Sequence, residues 1–366
     1  MPTTPSYLLA LLSQAVARHA SDLHLSAGLP PMARVLGALV PLDSCTALND
    51  SATSAQPHMP STPHTSTAQL THEGLLALLT PLMDATAQAR FAQGHEVDFA
   101  FAVEGLGRFR ANAFMQQNGC GAVLRHIPQH TPTLDALQTP RVLPELLKQV
   151  GLLLVTGPTG SGKSTTLAAM VQHLNTTTQQ HIVTLEDPIE FVHTSAQCVI
   201  TQREMGTHSH SFAHALRAAL REDPDVILVG ELRDLDTIRL ALTAAETGHL
   251  VLASLHTRSA AASVDRIVDV FDAHEKALVR TQLSEALIGV ITQTLCPAAP
   301  QQTGAAPSAR CAVFETLVAT TAIRNLIREG KTAQMQSAQQ TGATHGMQTM
   351  AQALQEARAN GRMAPT

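Results

Sequence analysis

Residues 157–164 read GPTGSGKS, the spacing Gly157-x-x-x-x-Gly162-Lys163-Ser164 between a short apolar run and a helical one. Glycines in such a loop let backbone N–H groups converge on a phosphate at a helix N-terminus. The lysine of the pattern reaches the β- and γ-phosphates, and the serine hydroxyl ligates Mg²⁺. The candidate nucleotide contacts are therefore Gly157, Pro158, Thr159, Gly160, Ser161, Gly162, Lys163, Ser164 and Thr165, with ATP and Mg²⁺ as their ligands. Only four of the 24 basic residues are lysines, so Lys163 is a rare residue in a special place.

Further acids and a histidine follow runs that read as strands. Glu186, Asp187 and Glu190 lie just past 181–185, where carboxylates at a sheet edge can approach bound metal and water. The run 226–229 ends in Gly230-Glu231. An aspartate is usual at the Gly230 position, so Glu231 must orient or deprotonate an attacking water alone or with Asp187, touching metal only through water. The bland alternative is an ordinary capping or surface acid. His256 ends the run 250–255 and is placed to donate to a γ-phosphate, whereas His249 at the other end reads as structural. Arg108, Arg110 and Arg125 share strand faces in the N-terminal part. Solvated arginines are the simplest reading of them, yet phosphoryl transfer commonly uses an arginine against charge building on the γ-phosphate. His208, His210 and His214 flank a helix and read as surface.

The elements that must hold these groups fall into two styles. The N-terminal third reads α+β: a helix over 7–19, a strand over 22–25, a hairpin over 97–115 and a strand over 122–127. Residues 44–67 are too poor in large apolar groups to pack and read as an inserted loop. Prolines 128, 132 and 140 place a linker over 128–140, after a first domain of 1–127. From 141 to 296 strands alternate with helices, the mark of a mostly parallel sheet covered on both faces. A loop over 297–309 and a helical segment over 310–366 complete the expectation.

Composition removes several classes. The net charge is −5 and there is no long basic run, so nucleic acid is not an expected partner. One tyrosine and no tryptophan argue further against a translocase that stacks bases. The five cysteines show no CxxC spacing, which leaves no zinc knuckle or disulfide framework and suits a reducing cytoplasm. No apolar run is long enough to span a bilayer.

Taken together, the motifs resemble the secretion-ATPase superfamily, and within it the type IV pilus retraction ATPases of PilT type. The likeness runs through SDLHLSAGLPPMARVLG (21–37), the phosphate loop, LEDPIEF (185–191), LREDPDVILVGELRD (220–234), TGHLVLASLHT (247–257) and AIRNLIR (322–328). It implies an N-terminal PAS-like α+β domain followed by a RecA-like P-loop NTPase domain with C-terminal helices. It also implies a homohexamer with ATP between subunits, in the cytoplasm at the inner-membrane base of a pilus. The implied partners are a platform protein of that membrane and a second retraction ATPase. The resemblance gives Lys163 to the nucleotide, Glu231 to catalysis, Glu186, Asp187 and Glu190 to metal or water, and His256 to the nucleotide site. It makes Arg108, Arg110 and Arg125 γ-phosphate contacts, and Arg324 and Arg328 the coupling of hydrolysis to retraction. By spacing alone, Ile323, Leu326 and Ile327 face inward and the two arginines share a polar face. Two alternatives stay open: an accessory retraction or secretion ATPase driving another filament, and a nucleotide-gated scaffold with little hydrolysis.

Overall fold

A computed structural model describes residues 4–35, 37–42, 69–127, 131–299 and 310–363. The stretch 44–67 and residues 300–309 thus lie outside the described residues. Contacts divide the chain into two units, Met1–Gln129 and His130–Thr366.

In the first unit, helix α1 (Ser6–Ala17) precedes strands β1 (Asp22–Ser26), β2 (Met32–Val35) and β3 (Ala38–Pro41). Helices α2 (His72–Leu79) and α3 (Ala85–Ala92) follow, then β4 (Val97–Val103), β5 (Gly107–Gln116) and β6 (Gly119–Ile127). The six strands form one antiparallel sheet in the order β3-β2-β1-β6-β5-β4. Helix α1 buries Leu8, Leu11, Leu12 and Ala15, which recur at helical spacing along one face. On β5, Phe109, Ala111 and Ala113 are buried while Arg108, Arg110 and Asn112 stay half-exposed on the other face. The period of two sorts apolar from basic side chains, as an antiparallel sheet with one covered face requires. Arg110 and Arg125 lie directly opposite each other on β5 and β6.

The second unit begins with the short α4 (Leu143–Leu146), β7 (Gly151–Thr156) and α5 (Lys163–Thr177). Then come β8 (His181–Glu186), β9 (Val199–Glu204), α6 (Phe212–Ala219), β10 (Val226–Val229), α7 (Leu235–Glu246) and β11 (Leu250–Leu255). The chain continues through α8 (Ala260–Asp269), α9 (Lys276–Ala286), β12 (Leu287–Pro297) and β13 (Arg310–Val318). It closes with α10 (Thr321–Arg328), α11 (Met335–Thr341) and α12 (Met350–Ala359). The seven strands are ordered β13-β12-β7-β11-β10-β8-β9, parallel throughout except for β13 at one edge. Every residue of β7, β10 and β11 is buried. Their near-continuous apolar runs reflect a sheet covered on both faces. On β7, Leu152 and Leu154 enter one core, with α7, α8 and α9, while Leu153 and Val155 enter the other, with α5.

The C-terminal expectation needs correction. Residues 310–366 are not helical throughout, because Arg310–Val318 is a strand paired along its length with β12. Residues 297–299, expected to begin a loop, are also held: Ala298 bridges Met363, and the Ala299 N–H donates to the Arg362 carbonyl. Within the expected linker, Leu134 is buried in the second unit's core beside Leu143 and Leu146. Among the described residues no helix is long and apolar enough to cross a membrane.

Candidate nucleotide-binding site

Parallel register brings the working strand ends to one edge. Thr156 pairs with Leu255 of β11 on one side and Thr292 of β12 on the other. Val229 lies between Leu185 of β8 and Ala253 of β11. The residues leaving these strands, Gly157, Glu186, Gly230 with Glu231, and His256, therefore emerge at the carboxyl edge where open α/β sheets bind ligands.

The loop after β7 has the conformation that its glycines predict. Gly157, Gly160 and Gly162 have φ of 140°, 77° and 89°, values that L side chains rarely adopt. A Cβ on Gly160 would meet only open space, so the loop's crown is clear for a ligand. Gly162 is the N-cap of α5 and supplies no side-chain hydrogen bond to it. The first N–H groups of that 15-residue helix are left for an anion, which the helix dipole favours. Ser164 is exposed in this first turn, with Pro158 and Thr159 exposed on the loop. The cradle fits a polyphosphate.

Lys163 is buried, and its three ammonium hydrogens each find an acceptor. The Gly157 carbonyl lies at 2.9 Å, the Pro158 carbonyl at 3.2 Å and His256 Nδ1 at 3.3 Å. A charged ammonium only donates, so Nδ1 must accept and the other ring nitrogen carries the proton. That Nε2–H points at Glu231 Oε1, 3.0 Å away, while Arg233 Nε reaches Oε2 at 2.7 Å. Burial holds the Lys163 ammonium below the ordinary lysine range, against the opposing pull of the Glu231 and Glu190 charges. Lys163, His256 and Glu231, residues of three different strand ends, thus form one hydrogen-bonded line. The glycine before Glu231 has a local reason: a Cβ there would press on the Leu185 carbonyl at 3.1 Å.

The other acids divide. Glu186 Oε1 accepts from Thr184 Oγ1 at 2.7 Å and Gln202 Nε2 at 3.1 Å, which ties β8 to β9. Burial pushes its carboxyl above the usual range, partly offset by those two donors. Glu190 is near enough for its charge to act on both Lys163 and Glu186. Asp187 is exposed at the start of the same loop. The arginines of the first unit are engaged locally: Arg125 with Asp22 at 2.9 Å and Arg110 with Asp98 at 3.6 Å, while Arg108 stands half-exposed on β5.

Several residues at the site carried no signal in the sequence. Arg233 is one: it stands two residues after Glu231, and its Nε reaches Glu231 Oε2 at 2.7 Å. Gln293, on a strand the sequence did not reveal, bonds the loop through Ser161 and α5 through Thr166. Thr292 beside it shares a hydrogen bond with Thr156 at 2.8 Å. Arg324 turns inward. Its guanidinium donates to the carbonyls of Ala319 at 2.9 Å, Ser284 at 2.6 Å and Glu285 at 2.5 Å, capping the end of α9. Arg328 makes an exposed pair with Glu285 at 2.8 Å.

Residues 80–363 match the model of the type II/IV secretion system protein family. A type IV pilus retraction ATPase, PilT, of Pseudomonas aeruginosa is 51% identical over 93% of this chain and 90% of its own. A twitching motility protein of Neisseria gonorrhoeae is 52% identical over 79% of this chain and 76% of its own. Among solved structures, the pilus retraction motor PilT with bound ADP superposes with a TM-score of 0.83 at 41% identity. That match covers 98% of this chain and 95% of the other.

Proposed function

The chain belongs to the type II/IV secretion system protein family, and from that premise we propose that it hydrolyses ATP to power retraction of a type IV pilus. The observation that carries the proposal is the line Lys163–His256–Glu231, which joins the phosphate loop to a carboxylate on a separate strand end. Lys163 and the N–H groups that open α5 hold the β- and γ-phosphates. Glu231, braced by Arg233 and His256, orients the attacking water and takes its proton. A γ-phosphate oxygen competes with His256 Nδ1 for Lys163, so nucleotide state is felt at Glu231 through the imidazole.

Bound Mg²⁺ would neutralise charge across the β- and γ-phosphates, and Ser164, with Glu231 through a water, would hold it. Asp187 and Glu190, from the loop after β8, would add negative charge near that ion. Arg108, Arg110 or Arg125 meets the γ-phosphate of a neighbouring subunit, which makes a ring, a homohexamer by family resemblance, the working assembly. Its place is the cytoplasmic face of the inner membrane at the pilus base. There a platform protein, with a second retraction ATPase alongside, takes up the motion.

Two measurements test this reading. The purified chain should hydrolyse ATP, and a strain lacking it should carry long-lived surface pili that do not retract. A chain that binds ATP without turnover would favour a nucleotide-gated scaffold. Normal retraction in the deletion strain would assign the motor to another filament.

A further inference from the structure

We propose that Gln293 is a positioning residue that moulds the phosphate loop, so that one side chain on β12 sets the affinity for nucleotide. Gln293 is 2% exposed; its backbone carbonyl lies against the start of the loop at Gly157 and its side-chain amide against the end at Gly162. Its Nε2 donates to the Ser161 carbonyl at 2.7 Å, and its Oε1 accepts from Thr166 Oγ1 at 2.6 Å. One amide thus ties the loop's last turn to the first turn of α5, on either side of Lys163.

The two glycines that frame the motif are shaped around the same residue. A Cβ on Gly157 would collide with the Gln293 carbonyl oxygen, and one on Gly162 would stand 2.8 Å from Nε2. Thr292 holds the loop's entry through Thr156. Loop and strand are complementary surfaces, so Lys163 and the N–H groups after it inherit their positions from Gln293. Binding at such a site depends on preorganisation, because a loop that must be ordered on binding costs affinity.

The alternative is a buried glutamine that merely satisfies its own amide within the sheet. That role predicts lower stability without a change in binding. The inference rests on the nucleotide-site reading, and the wild-type protein tests that reading separately: failure to bind ADP would overturn the reading itself.

The experiment uses the full chain with Gln293→Leu, Gln293→Glu and Thr166→Val. A fluorescent ADP analogue gives Kd, steady-state hydrolysis gives kcat and KM, and melting without nucleotide reports the fold. Gln293→Leu keeps the bulk but removes both hydrogen bonds and should weaken ADP about tenfold, with KM rising more than kcat falls. Gln293→Glu keeps the acceptor for Thr166 but turns a carboxylate oxygen on the Ser161 carbonyl, and should weaken ADP at least as much. Added to Thr166→Val, the Leu change should cost less than it does alone, because the two act through one contact. If Gln293→Leu does not fold, the other two variants are read in its place. Lower melting temperatures with Kd within about twofold of wild type would overturn the proposal.

Discussion

Replacing Glu231 with Gln isolates the proposed chemistry from the proposed binding. The carboxylate serves two partners, Arg233 Nε at 2.7 Å and His256 Nε2 at 3.0 Å. A glutamine has one acceptor oxygen, so one of those bonds must be lost. If the amide N–H₂ turns to His256, the imidazole proton must move to Nδ1, where it would face the Lys163 ammonium. If it turns to Arg233, two donors face each other. Because Arg233 is 61% exposed, the second arrangement is the cheaper, at up to about 1 kcal/mol of stability. The chemical cost is larger. General-base assistance contributes about 10²–10⁴ in rate, a barrier rise of roughly 2.7–5.4 kcal/mol. ATP affinity should not fall, since removing a carboxylate beside phosphates removes repulsion. Steady-state hydrolysis and equilibrium binding of a fluorescent ATP analogue on the same preparation give both numbers. Turnover within about threefold of wild type would refute the role of Glu231 in activating water. A loss of affinity parallel to the loss of kcat would mean that Glu231 supports the loop instead.

Three further outcomes follow from other parts of the fold. Arg324 serves three carbonyls while Arg328 makes exposed contacts with Glu285 and Asn325, so the two should separate: Arg324→Ala should cost about 1–3 kcal/mol in urea unfolding and Arg328→Ala under 1 kcal/mol. If Arg328 couples hydrolysis to retraction, Arg328→Ala should spare basal ATPase and stop twitching; surviving motility would end that idea. Burial lowers the pKa of His193 from 6.5 to about 4, and its Nδ1 has no hydrogen-bond partner among the described residues. The unfolded chain therefore takes up this proton first, so the contribution is complete above pH 6.5 and fades as pH falls toward 4. The loss by the lower limit is on the order of 3 kcal/mol. His193→Gln should flatten that part of the stability–pH curve, and an unchanged curve would show that His193 is not the group responsible.

The sequence made the site's strand ends legible because each is a buried parallel strand followed by a polar or glycine residue. An apolar run ending in Gly157, Glu186, Gly230 or His256 announces both its burial and its ligand edge. The β12–β13 pair was hidden for physical reasons. Helix α9 passes into β12 at Leu287 with no glycine or proline between them, so LIGVITQ could be read as more helix. In β13 the apolar run is broken by Glu315, a buried carboxylate that accepts from the Ala260 N–H at the start of α8. That partner is 55 residues away in sequence. Gln293 escaped for the same reason, since its partners Ser161 and Thr166 lie 132 and 127 residues away and are set by strand register. The roles of Arg324 and Arg328 looked alike because spacing shows a shared face but not what that face meets.

Strand β12 has a mechanical consequence. It starts directly after the carbonyls that Arg324 grips, and Gln293 meets the phosphate loop six residues into the strand. It is hydrogen-bonded to β7 on one side and β13 on the other, with one register shift against β7 between Leu287 and Gly289. At about 3.3 Å per residue the span is about 20 Å. One strand, paired on both sides, therefore joins the loop to the corner where α9 meets α10. A displacement at either end has a direct route to the other along one hydrogen-bonded strand.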